Sequence, residues 1–214
     1  MWTLLRHLCV LEWRTKYRVY NSLLYALSTS FIASLVVSRY PGVSVWSGLM
    51  WFLMLFNAIT ACSDAFRNEG ERRHIFYRQL SRPEDIFFSR FLFHGLFGLL
   101  LICLQFGLLC FFIGAPSAHW SSMFLHILIG SVSLMGVLSL TSAIAAMSGN
   151  NVSMMAVLSF PLLIPVLMIG LEGTLQAGLG DSLEQAWKFV LGNMAMGGLV
   201  AALGYLLFPY LWNT

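Results

Sequence analysis

Two histidines fall inside strongly apolar stretches of this sequence, His94 and His126, and an imidazole so placed could ligate a metal or a haem iron. The same residues suit a plainer role, as neutral side chains at a membrane interface or in a helix contact. The cysteines do less. Cys9, Cys62, Cys103 and Cys110 form no C-x-x-C pair, and Cys103 and Cys110 stand two turns apart in one apolar run, so they serve as small apolar residues. A G-x-S-x-G nucleophile elbow, an H-E-x-x-H zinc pair and a Walker A loop are all missing. Glu172, Asp181 and Glu184 sit in a polar stretch outside the apolar runs, where they build neither a proton relay nor an ion-coupled carrier. No catalytic residue, resident cofactor or metal set is expected, and energy for any work must come from outside the chain.

Recognition chemistry is better represented. The segment Asp64 to Arg90, DAFRNEGERRHIFYRQLSRPEDIFFSR, is too long for a simple helix–helix connection and too short for a domain. Ile75, Phe76 and Leu80 alternate with Glu71, Arg72, Arg73 and Arg78, the pattern of a short amphipathic helix lying on a membrane face. Ser81 reads as an N-cap, with Pro83 in the first turn and Glu84 three residues on, so a new helix starts there. A short helix, a break and a long helix make a lever that a partner could push. The competing reading is a segment that holds its neighbours in register with anionic lipid.

Other residues speak to how helices meet. Asn57, Gln105 and Asn193 are polar, uncharged and intramembrane, and suit interhelical hydrogen bonds. Pro161 and Pro165 share one helix face, and each removes a backbone donor, so a kink or hinge is expected near residues 160–166. A static kink and a moving hinge fit equally. Gly197 with Ala201, and Gly198 with Ala202, are small-x-x-x-small pairs that allow close helix approach, within the chain or between subunits.

The elements that position these residues follow from composition. Hydrophobic residues make up 58% of 214, charged residues only 10%, and mean hydropathy is +0.78, which excludes a soluble globule with a polar surface. About 20 apolar residues cross a bilayer, and six such stretches are present. They run from Tyr20 to Val37, Val43 to Cys62, Phe91 to Ile113, Phe124 to Met147, Met154 to Leu171 and Phe189 to Trp212. Backbone groups in lipid must be satisfied internally and no barrel alternation is seen, so the spans are helices. The fold expected is one all-α membrane domain over residues 1–214, with an outer loop at 172–188, a moderately polar stretch holding Gly173, Gly178 and Gly180 that can form short helices at the outer surface. Residues 1–19 set Trp2, Leu5, Leu8 and Leu11 on one stripe, as in an interfacial helix, or else simply anchor the first span with positive charge. Arg6, Arg14, Lys16 and Arg18 precede the first span, and six arginines lie between Arg67 and Arg90, whereas the other side holds only Arg39 and Lys188. By the positive-inside rule both termini and the 64–90 segment are cytoplasmic.

Two stretches also resemble a known family. Residues 142–172, SAIAAMSGNNVSMMAVLSFPLLIPVLMIGLE, and the basic segment FRNEGERRHIFYRQLSRPEDIFFSRFLFH are similar to the haem exporter protein B (CcmB) family of cytochrome c maturation systems. The likeness rests on the Gly149–Asn150–Asn151 turn, the P-L-x-I-P pattern at Pro161–Pro165 and the order of the two segments. It implies the permease subunit of an ATP-binding cassette complex in the bacterial inner membrane, with ATP bound on a separate cytoplasmic subunit. It further implies a haem-handling membrane subunit, a small membrane subunit and a periplasmic haem chaperone as partners, and haem as possible cargo. Residues 71–80 would be the coupling helix. The tryptophan-rich outer motif of the haem-handling subunit is absent, Trp120 standing alone, so no haem site is assigned to this chain. A superfamily permease for a drug, lipid or polysaccharide, and a non-transporting assembly scaffold, are the alternatives; nucleic acid is not an expected partner.

Overall fold

In the computed structural model, residues 17–63, 83–116, 119–147, 152–180 and 183–213 are described, and they form six helices. These are α1 (Tyr17–Val36), α2 (Val43–Ser63), α3 (Pro83–Phe112), α4 (Trp120–Met147), α5 (Val152–Leu179) and α6 (Leu183–Asn213). At about 1.5 Å rise per residue the shortest is roughly 30 Å long, and all six are long and apolar enough to cross a bilayer. No strand occurs among the described residues. The N-terminal stripe and the amphipathic segment Glu71–Leu80 lie outside the described residues. The long helix expected after Ser81 begins at Pro83, where proline's missing N–H costs no intrahelical bond.

The bundle is built around α4. Of its apolar window, 72% is buried, against 22% for the windows of α1 and α6. It packs on α2, α3, α5 and α6, while α1 rests on α2 and α3 at the periphery. Small residues make the central position possible, because a helix surrounded on all sides needs close neighbours. Met135 of α4 fills the notch at Gly98 of α3, and Phe91 of α3 lies over Gly136 of α4.

Polarity is distributed inside out relative to a soluble protein. Val157 and Phe111 are 72% and 77% exposed, and Leu24, Leu35, Phe52 and Phe160 also face outward. Buried positions, by contrast, hold Asn57, Gln105, His126, Ser139, Thr141 and Asn193. An outer surface this apolar is stable only against lipid, and some of the hydroxyls bond carbonyls of their own helices. Thr29 bonds the Tyr25 carbonyl at 2.7 Å and Thr141 the Val137 carbonyl at 3.0 Å.

One end of the bundle is tied together by its connections. The Tyr40 N–H donates to the Ile113 carbonyl at 3.0 Å and the Trp46 indole donates to the Gly114 carbonyl at 3.2 Å. Gly114, with φ of 102°, accepts the Tyr40 ring against its backbone, a place no side chain could share. At the same end His119 packs on Gly180.

The outer stretch 172–188 is mostly helical, and its helices continue the two flanking spans. Helix α5 continues to Leu179 and α6 starts at Leu183, with Gly180 in a turn at φ 83°. Gly173 and Gly178 are contact points: Phe189 and His126 lie against the first, Val43 and Met123 against the second. Gln176 donates to Glu172 one turn back at 2.8 Å, a side-chain pair along the same helix.

Candidate functional site

The interior holds a sequence of interhelical joints. Trp51 of α2 inserts its indole between α4 and α5, with the outer edge of its ring lying against both Gly130 and Gly170. Its ring N–H donates to the Thr174 hydroxyl at 3.0 Å, and that hydroxyl donates in turn to the Gly170 carbonyl at 2.7 Å. A methyl at either glycine would collide with the ring, so the two glycines are the space into which Trp51 fits. The wedge escapes sequence reading because the three residues are far apart in the chain and each is ordinary alone.

Gln105 of α3 donates to Ser30 of α1 at 2.8 Å, as expected of an interhelical partner. Ser133 of α4 donates to the backbone carbonyl of Asn193 on α6 at 2.6 Å, and Ser142 donates to the Cys62 carbonyl at 3.1 Å. Asn57 departs from expectation. It is 2% exposed, and neither side-chain polar atom has a hydrogen-bond partner among the described residues.

His94 and His126 are both buried, and one of them, His126, lies in a helix contact. His126 is buried, hydrogen-bonds the Ser122 carbonyl through Nδ1 at 2.9 Å, and presses its ring edge on Gly173 of α5. His94 is buried edge-on to Phe93, with ring centroids 5.5 Å apart. Among the described residues no three His, Cys, Asp or Glu side chains cluster as a metal would require.

Of the residues singled out from the sequence, Gly197, Gly198 and Ala201 come together. With Phe91, Ile129, Val132, Ser133 and Met194 they line an open apolar groove of about 530 Å³ between α3, α4 and α6. Gly197 faces inward, where an added Cβ would sit 3.1 Å from the Ser133 hydroxyl, while Gly198 has open space around it and Ala202 is exposed. Pro161 and Pro165 lie elsewhere. Both are accommodated inside the unbroken α5, Pro161 on the outward face beside exposed Phe160 and Pro165 half-buried. Glu71, Arg72, Arg73, Ile75, Phe76, Arg78 and Leu80 fall outside the described residues.

Six spanning-length helices and an apolar outer surface around an interior of neutral polar joints define a multi-pass membrane protein. A family model described as CcmB protein matches residues 1–204, and the chain belongs to that family. It is accordingly a membrane component of the cytochrome c maturation haem exporter, one of the subunits of an ATP-binding cassette complex. Searches of curated proteins and of solved structures returned no match.

Proposed function

We propose that the chain is the permease that couples ATP hydrolysis on a separate cytoplasmic subunit to haem export, or to release of the haem-loaded periplasmic chaperone. The family match over residues 1–204 carries this reading. In it, the ATPase docks on the amphipathic segment at Glu71, Arg72, Arg73, Ile75, Phe76, Arg78 and Leu80. Both termini are cytoplasmic, by the excess of arginine and lysine on that side. Closure of the ATPase pushes the segment, which joins α2 to α3, and so tilts those two helices. Helix α5 accommodates the change at Pro161 and Pro165, where backbone bonds are already missing. The small-residue groove at Gly197, Gly198, Ala201 and the neighbouring Ala202 is a docking face for another helix of the complex. Haem is cargo of the assembly and ATP stays on the partner; the haem-handling membrane subunit, the small membrane subunit and surrounding lipid complete the setting.

Haem-stained gels of membranes from a strain lacking the chain test the assignment. Selective loss of covalently bound haem, restored by the intact gene, is expected. Normal c-type cytochromes in a strain with no second copy would overturn it in favour of an exporter of another substrate. Restoration by a variant unable to assemble with an active ATPase would favour a scaffold. Arg72→Glu with Arg73→Glu tests the coupling helix: both complex assembly and coupled ATPase activity should fall, and retention of both removes the segment from the mechanism.

A further inference from the structure

Between α2, α3 and α4, deep in the bundle, lies a small cavity, about 10 Å³ open to the centre of a water molecule. Its walls include Met54, Gly98 and Met135, but also two amides, Asn57 of α2 and Gln105 of α3. Both amides are almost fully buried, at 2% and 1% exposure. The Gln105 nitrogen is engaged by Ser30, whereas Gln105 Oε1 and both polar atoms of Asn57 have no partner among the described residues. A buried polar atom left unpaired costs about 1–3 kcal/mol, and in the hydrocarbon layer no bulk water relieves it.

We infer that this cavity is a binding site for a single water molecule, held between Asn57 and Gln105. The room matches, since one water needs roughly 10–15 Å³ by this measure and two to four polar partners. Its chemistry matches as well. A water donates to the Gln105 carbonyl oxygen and takes its second bond from the Asn57 amide. Rotating either amide by 180° exchanges donor for acceptor, and water serves in both roles. A purely apolar cavity of this size stays dry. The bound water completes a chain from Ser30 through Gln105 to Asn57, and so links α1, α3 and α2 at one depth. Such a link is exchangeable: it can break and reform as α2 and α3 slide, where a direct bond would have to be stretched. This site stands independently of the cargo and of the ATPase.

X-ray radiolytic footprinting of the intact protein in lipid nanodiscs tests it, because radiolysis of a bound water oxidises the side chains that touch it. Met54 and Met135 line the cavity, whereas Met123 and Met155 are equally buried and do not. The first pair should gain oxygen several-fold faster than the second. Replacing Asn57→Leu and Gln105→Leu together should bring all four to the same slow rate. Equal rates in the unmodified protein overturn the proposal without any variant. Fast oxidation that survives in the folded double variant shows a water not held by these amides, and overturns it too. If the double variant does not fold, Gln105→Met alone, which keeps the side-chain volume, is read in the same way.

Discussion

Replacing Gly170 by alanine adds one methyl group at a point where the structure has no room for it. The added carbon would strike the outer ring of Trp51. That ring has little room to shift, because it also lies against Gly130 and its N–H is held by Thr174 at 3.0 Å. Forcing a methyl into a packed contact costs about 1–3 kcal/mol. Alanine in place of glycine in a helix returns about 0.5–1 kcal/mol, leaving a net loss of up to roughly 2.5 kcal/mol. For a chain of this size about 1 kcal/mol corresponds to 2–4 °C, so the melting temperature should fall by up to roughly 10 °C. Tryptophan-fluorescence melts in detergent measure this, with Gly198→Ala as the companion. Nothing lies within 4 Å of a Cβ at Gly198, so its substitution should leave the melt unchanged or raise it. Trp51→Phe removes the atoms that are struck, and in that background the Gly170→Ala penalty should shrink. A Gly170→Ala protein melting at or above Gly198→Ala, with Trp51 intact, would refute the wedge.

Three further outcomes are expected. Thr174→Val keeps the shape but removes the acceptor for Trp51, and should cost about 0.6–1.7 kcal/mol by thermal melt, with most of that cost absent in a Trp51→Phe background. Ser30→Ala should destabilise the protein by about 0.6 kcal/mol, and should do so only while Gln105 is present, which a double-mutant cycle with Gln105→Leu reads out. Gly197→Leu should drive α6 away from Ser133 and lower the yield of monodisperse protein on gel filtration, whereas Gly198→Leu should be tolerated for folding. Equal behaviour of the two leucine variants would show that the groove is not packed as described.

Some of this architecture is legible in the residues themselves. Six apolar runs and a scarcity of charge dictate six spanning helices, because hydrocarbon offers no partner to a free backbone group. Pro83 in a first turn marks where α3 begins for an equally local reason, the absence of a donor that the first turn does not use. Gln105 is recognisable as an interhelical donor, since an amide in lipid has no other outlet. In the stretch 172–188 glycine signals a turn and a close contact alike, and only the neighbours Phe189, His126, Val43 and Met123 show that Gly173 and Gly178 are contacts. Which helix sits at the centre is likewise a property of packing. The runs of α4 and α5 are similarly apolar, yet α4 is central because Gly130 and Gly136 receive Trp51 and Phe91 from helices on different sides. Local chemistry determined that this chain crosses the membrane and where; the joints between helices were decided by the tertiary structure, because a wedge, a groove or a shared water site exists only once separate helices have met.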